Sequence, residues 1–224
     1  MEVIRVNAAK HIEWLEQCEK QGLIYKRQSG IYVSKEFPEH ERNSKWYKNS
    51  RVNNNFQPYM KESLELLKKY DCKSVNVMEI GAGVGVFANM YISIFKPFSY
   101  TAYEFAHNVE ISAENYYSTK FKFISKDIDD ITLDETKDID MVVAQEVLEH
   151  VVKDKEFINK FKPGTRFLIT IPKSLSKDHV RCFPEMASVF DRYDDLIHIA
   201  ELRIVDKKKD ALLPKWWCFI GVKK

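Results

Sequence analysis

The 224-residue chain carries 35 Lys and Arg against 33 Asp and Glu, a net charge of +2, with 45% hydrophobic and 30% charged residues. That mix suits a globular chain with a real core, and the near-balance of charge supplies no global field for gripping nucleic acid. Cys18, Cys72, Cys182 and Cys218 lie far apart with no CxxC spacing, which excludes a zinc knuckle and a disulfide framework and leaves free thiols in a reducing compartment.

Residues 8–20 place Ile12, Leu15 and Cys18 at helical spacing, and 22–37 alternate apolar and polar residues around Ser29-Gly30 as a hairpin would. Residues 39–56 are polar, with Trp46, Tyr47, Phe56 and the run Asn53-Asn54-Asn55, and read as a loop or lid. Residues 57–70 form a helix leading into the core. From 74 onward strands are expected at 74–80, 99–105, 121–125, 139–145 and 165–172, with helices near 85–95, 108–118 and 146–160. Strand and helix repeated in this way imply right-handed crossovers and a mostly parallel, doubly wound sheet. The tail breaks the alternation: 201–209 and 215–224 are strand-like segments suited to a C-terminal antiparallel hairpin. An N-terminal extension over 1–55 and a core domain over 56–224 follow. No apolar run approaches the roughly 20 residues of a spanning helix, and the charged N-terminus lacks a signal core, so a soluble cytoplasmic protein is expected.

Gly81, Gly83 and Gly85 directly follow the first core strand and precede an apolar helix. Glycine lets the backbone turn sharply and approach a ligand closely, and a helix start presents free N–H groups, so this is a nucleotide-binding loop. A dinucleotide loop, GxGxxG, would need a third glycine where Val86 stands. The spacing ExGxGxG, beginning at Glu79, resembles the first motif of the class I S-adenosylmethionine-dependent methyltransferases, and the likeness extends over 56–224. The resemblance implies a Rossmann-like sheet of seven strands ending in a reversed strand, with S-adenosylmethionine as cofactor. It further implies that Glu104, nineteen positions beyond Gly85, accepts from the ribose hydroxyls. By the same resemblance Asp127 would bond the adenine amino group, Ile128 pack on the ring, Glu79 support the methionine end, and Gln145 join the cofactor site.

After the fourth core strand, Glu146, Glu149 and His150 stand at i, i+3 and i+4, and on a helix would project from one face, with Val147, Leu148 and Val151 supplying the packing. Two carboxylates and an imidazole at the crevice suit either acid–base work or a divalent metal. This ExxEH stretch resembles the ubiquinone-pathway O-methyltransferases and the small-RNA terminal 2′-O-methyltransferases, where such a segment plus a later histidine is associated with a metal near the acceptor hydroxyl. That resemblance implies magnesium or manganese at Glu146, Glu149, His150 and a fourth ligand, His179 or His198. His179 is favoured because it follows the fifth core strand at the rim, whereas His198 sits among Leu196, Ile197 and Ile199 in a packed segment. The catalytic candidates are Glu146, His150 and His179. Arg181 could clamp an anionic acceptor, and Phe183 could plug the core. The packing of helix and loop remains the plainer role for every one of these side chains.

Methyl transfer to oxygen needs help with a proton, whereas an amine need only arrive neutral. The carboxylate and histidine cluster therefore points to O-methylation of a small hydroxylated acceptor, a sugar or similar. RNA 2′-O-methylation and N-methylation are the enzyme alternatives, a cofactor-binding regulatory module the non-enzyme one, and a nicotinamide dehydrogenase the outsider. Against RNA stands the near-neutral charge, the basic residues 207–209 being a short run on a hairpin.

Overall fold

A computed structural model describes residues 57–72, 75–105, 120–173, 179–205 and 216–224, together with Lys20 and the backbone of two short strands. The expected helix before Lys20, the lid aromatics and asparagines of 39–56, the helix at 108–118 and the lysines at 207–209 lie outside the described residues.

The two short strands are β1, Ile24–Lys26, and β2, Tyr32–Ser34, paired antiparallel as the alternation around Ser29-Gly30 predicts. Helix α1, Pro58–Lys69, starts on a proline whose fixed φ suits the first turn and ends on Lys68 and Lys69, which complement the helix dipole. Its buried face carries Met60, Leu64, Leu66 and Leu67. The core then runs β3 Asn76–Ile80, α2 Val86–Phe95, β4 Ser99–Glu104, β5 Lys120–Ser125, a 3-10 turn at Ile128–Asp130, α3 Leu133–Thr136 and β6 Met141–Gln145. It continues through α4 Asp154–Asn159, β7 Arg166–Pro172, β8 Arg181–Cys182, α5 Met186–Tyr193, β9 Ile197–Val205 and β10 Trp216–Lys223.

Seven strands form one sheet in the order β5-β4-β3-β6-β7-β10-β9. The first five are parallel, and β10 runs antiparallel between β7 and β9, so the Rossmann-like sheet with its C-terminal hairpin is as expected. Both faces are covered. Along β3 and β6, Val77 and Val143 join α1 and α2 on one side while Met78 and Val142 face the other, the period of two that a pleated strand imposes. Leu66 and Leu67 are fully buried there, each worth about 1.5–3 kcal/mol in area removed from water. At Gly221 the β9–β10 register shifts, and a Cβ would stand 2.4 Å from Ile197 Cγ2 and 2.7 Å from the His198 carbonyl oxygen. Only glycine lets the bulge close.

Chain direction across the sheet reverses between β3 and β6: β4 and β5 are added to one side, β7 to the other. In open parallel sheets ligands bind outside the carboxyl ends of the strands at such a switch point. Among the described residues no helix is long and apolar enough to cross a membrane.

Two expectations are corrected. The helix anticipated over 146–160 is a turn at 148–150 followed only by α4, and Glu146 adopts φ 57. The carbonyls of Leu148, Val151 and Val152 accept from the Arg181 guanidinium, so Leu148 and its neighbours do not feed the i+4 ladder that would continue a helix. The stretch after the fifth core strand, read from the sequence as the rim that carries His179, contains β8, which pairs with β2 through Tyr32↔Cys182 and Val33↔Arg181, and leads into α5. A second sheet, β1-β2-β8, results.

Candidate active site

The glycine loop folds as its residues dictate. Gly81, Gly83 and Gly85 have φ of 67°, 54° and 78°, the left-handed region that side chains disfavour. A Cβ on Gly81 would stand 2.4 Å from Val147 Cγ2, so the loop lies directly against the segment that follows β6. Gly85 caps α2 and donates its N–H to Ala82 O at 2.9 Å. Glu104, at the end of β4, accepts from Gly83 N at 2.7 Å through Oε2. One carboxylate oxygen is thereby pinned to the loop, and a carboxylate offers about four lone-pair sites, so the group retains accepting capacity toward a ligand.

Gly81, Glu104, Asp127, Ile128, Glu146 and His150 line one cleft at the carboxyl ends of β3, β4 and β6. Asp127 also caps the 3-10 turn, accepting from Asp129 N at 2.9 Å, and Ile128 is buried beside it. Sequence reasoning missed Tyr103 and Lys126, which line the same cleft and are both tied to Glu135, at 3.3 and 2.8 Å. No local pattern marks them. Glu79 and Gln145 are not among the lining residues. The Gln145 amide donates to Ser63 Oγ on α1 at 2.7 Å, and Glu79 is buried under the loop, accepting from Tyr100 OH at 2.8 Å.

Burial pushes the Glu79 carboxyl up to about 8 from 4.5, with Glu104 adding to the rise and Tyr100 opposing it. In the folded chain Glu79 therefore keeps a proton that the unfolded chain has lost. The folded state binds more protons between those values, so stability falls as pH rises through the window, by at most about 1.4 kcal/mol per unit. Glu79→Gln is expected to melt above the parent at pH 8 and level with it at pH 4.5. Identical pH dependence of the two melting curves would show that Glu79 is not held neutral.

The histidines meet where the sequence only hinted. His150 and His179 have ring centroids 4.8 Å apart at 82°, and His150 Nε2 lies 3.7 Å from Oε1 of the buried Glu149. Ligand atoms of Glu149, His150 and His179 all fall within 4.8 Å of one another. Glu146 is not in that group. Its Oε2 accepts from Trp216 Nε1 at 2.7 Å, and burial raises its carboxyl to about 8 against hydrogen bonding from Trp216 and Thr170. Trp216 in turn meets the Tyr59 ring edge-on at 5.4 Å. Burial holds the Tyr59 hydroxyl protonated, assisted by the charges of Glu146, Glu149 and Glu79. His198 is exposed on β9, opposite Val222, and takes no part. Arg181 is no acceptor clamp: it is buried, committed to the three carbonyls and to Asp154 Oδ2 at 3.2 Å. Phe183 is fully buried in the core, as expected.

The sequence matches the methyltransferase domain family over residues 50–219. The chain belongs to that family, and is an S-adenosylmethionine-dependent methyltransferase of class I. Its fold is shared with 1,6-didemethyltoxoflavin-N1-methyltransferase from Burkholderia thailandensis, solved with bound 1,6-didemethyltoxoflavin and S-adenosylhomocysteine (TM-score 0.64, 14% identity, 90% of this chain and 99% of that one). The methyltransferase is also similar to the N-methyltransferase NodS from Bradyrhizobium japonicum WM9, with S-adenosylhomocysteine (0.63, 12%, 83% and 99%). Magnesium protoporphyrin IX methyltransferase from Synechocystis PCC 6803, with bound S-adenosylmethionine, is a third such structure (0.59, 10%, 86% and 100%). At these identities the likeness is one of fold. No curated protein matches the methyltransferase in sequence.

Proposed function

We propose that this methyltransferase methylates a hydroxyl oxygen of a small molecule, the His150–His179 pair receiving the acceptor proton. The observation that carries the reading is that His150 belongs both to the cleft and to the histidine cluster. The cleft suits the cofactor: the backbone at Gly81 and Gly83 permits close approach, and of the residues that line it Glu104 would serve the ribose hydroxyls and Asp127 and Ile128 the adenine, while Glu79, buried outside the lining, would act on the methionine end only indirectly. S-adenosylmethionine supplies a methyl group on a sulfonium, already an excellent leaving group. What remains for the protein is to align the acceptor and move its proton. An imidazole can take that proton near neutral pH, and Glu149 at 3.7 Å favours the cation that forms.

Glu149, His150 and His179 are also the residues that would hold a divalent ion, which would lower the acceptor's pKa. Two imidazoles to one carboxylate suit manganese, iron or zinc better than magnesium. The near-neutral charge speaks against an RNA acceptor. The neighbours that methylate nitrogen resemble this chain in fold only, so the histidine pair is what favours oxygen.

The test is release of S-adenosylhomocysteine with hydroxylated small molecules and matching amines, with and without a chelator. His150→Ala and His179→Ala are each expected to lower kcat by about 10²–10⁴. If both variants keep the full rate, or only amines turn over, the oxygen reading fails.

A further inference from the structure

His150 does not sit on a regular helix. It lies in the turn at 148–150, its own N–H bonded to Val147 O at 2.9 Å. His179 lies two residues before β8, and β8 is not part of the seven-stranded sheet. Neither histidine is thus placed by the main ladder that fixes the glycine loop.

What joins them is Arg181. Its Nη1 donates to Leu148 O and, at 2.7 Å, to Val151 O, and its Nη2 to Val152 O at 3.0 Å. These carbonyls bracket the turn that carries Glu149 and His150. The guanidinium is seated on Asp154 Oδ2 at 3.2 Å, and that carboxylate is held in turn by Arg192 and by Tyr193 OH at 3.0 Å. One residue earlier, Val180 N donates to Glu149 O at 2.8 Å. The segment from His179 to β8 and the turn of His150 are therefore stitched twice, by backbone through Val180 and by side chain through Arg181. The remaining edge of β8 is occupied by β2, with Val33 opposite Arg181 and Tyr32 opposite Cys182.

We infer that Arg181 is a positioning residue for the His150–His179 pair, and that strand pairing by the N-terminal hairpin completes its seat. A fork with several fixed donors can hold three carbonyls and a carboxylate at once, which an ammonium on a flexible stem cannot. β2 is the middle strand of its sheet, so a proline there removes a ladder donor and disrupts the pairing, while the seven-stranded sheet is untouched. The consequence for turnover rests on the histidine reading above; the placement itself does not.

Full-length protein labelled at histidine is the material for the test, with ring signals assigned through His150→Gln and His179→Gln. The parent is expected to show a ring–ring nuclear Overhauser cross-peak between the two histidines. Arg181→Lys and Val33→Pro should each lose it, with kcat down about 100-fold and KM for S-adenosylmethionine unchanged, as misplacement by about 1 Å can cost that much. A cross-peak that survives in either variant overturns the part of the assignment that variant tests. If Arg181→Lys does not fold, Val33→Pro, outside the main sheet, still decides whether the hairpin seats the pair. Loss of the cross-peak with turnover intact leaves the placement standing and sinks the histidine role in catalysis.

Discussion

Replacing Glu104 with alanine is expected to raise the dissociation constant for S-adenosylhomocysteine by about 100-fold or more while leaving the fold in place. The carboxylate does two things at once. Its Oε2 accepts from Gly83 N at 2.7 Å, fixing the glycine loop in the conformation that the left-handed Gly81, Gly83 and Gly85 make possible. Under the cofactor assignment its remaining acceptor sites meet the ribose hydroxyls. Hydrogen bonds to a charged group contribute about 1.5–3 kcal/mol each, so losing two of them accounts for roughly two to four decades of affinity. Glu104 is only partly buried at the end of β4, so its removal leaves no orphaned charge in the core. Glu104→Gln, which keeps an acceptor for Gly83, should fall between parent and alanine. Calorimetric titration of the three proteins checks this, and an alanine variant that binds within twofold of the parent would falsify the assignment of Glu104 to the cofactor.

The glycine loop was legible because everything it needs is local. A buried strand, three glycines at alternating positions and an apolar helix follow one another within 76–95, and each left-handed φ falls on a residue that tolerates it. Parallel strands were legible for a related reason: β6 is buried at all five positions and its first four are apolar, so it reads as a short continuous apolar run. The segment after β6 was not. Val147, Leu148 and Val151 have helical spacing, but the carbonyls that would continue a helix are claimed by a guanidinium some thirty residues downstream, and no local pattern reports that. The burial of Arg181 is illegible for the same reason: a charged side chain near a histidine reads as a candidate acceptor clamp, and the carbonyls that hold it inside come from another part of the chain. Two-residue β8 exists only through β2, from the far end of the chain. In α5, the buried positions include Ser188 and Arg192, which hide the helix's inner face. Of the site residues, His150 and His179 were chosen for their chemistry and placed together by contacts the sequence does not display.

Asp154→Ala is the substitution expected to damage the fold most. Asp154 is fully buried at the start of α4 and accepts from Arg192 Nε at 3.2 Å, Arg192 Nη2, Tyr193 OH at 3.0 Å and Arg181 at 3.2 Å. Removing the carboxylate they share leaves two buried guanidinium groups without the anion on which both are seated. Breaking a buried pair in this way costs about 3–5 kcal/mol, and for a chain of this size each kcal/mol shifts the melting temperature by about 2–4 °C. A fall of about 10 °C is therefore expected in a thermal melt. Turnover should drop with it, because Arg181 loses the partner on which it is seated. Arg203 provides the contrast: it reaches two carboxylates, Glu62 at 3.2 Å and Glu201 at 2.7 Å, but in a surface network open to water. Arg203→Ala should shift stability by no more than about 1 kcal/mol. Equal losses from the two substitutions would mean that burial is not what makes the Asp154 cluster matter, and the same result would remove the reason for treating Arg181 as a fixed point beside the histidines.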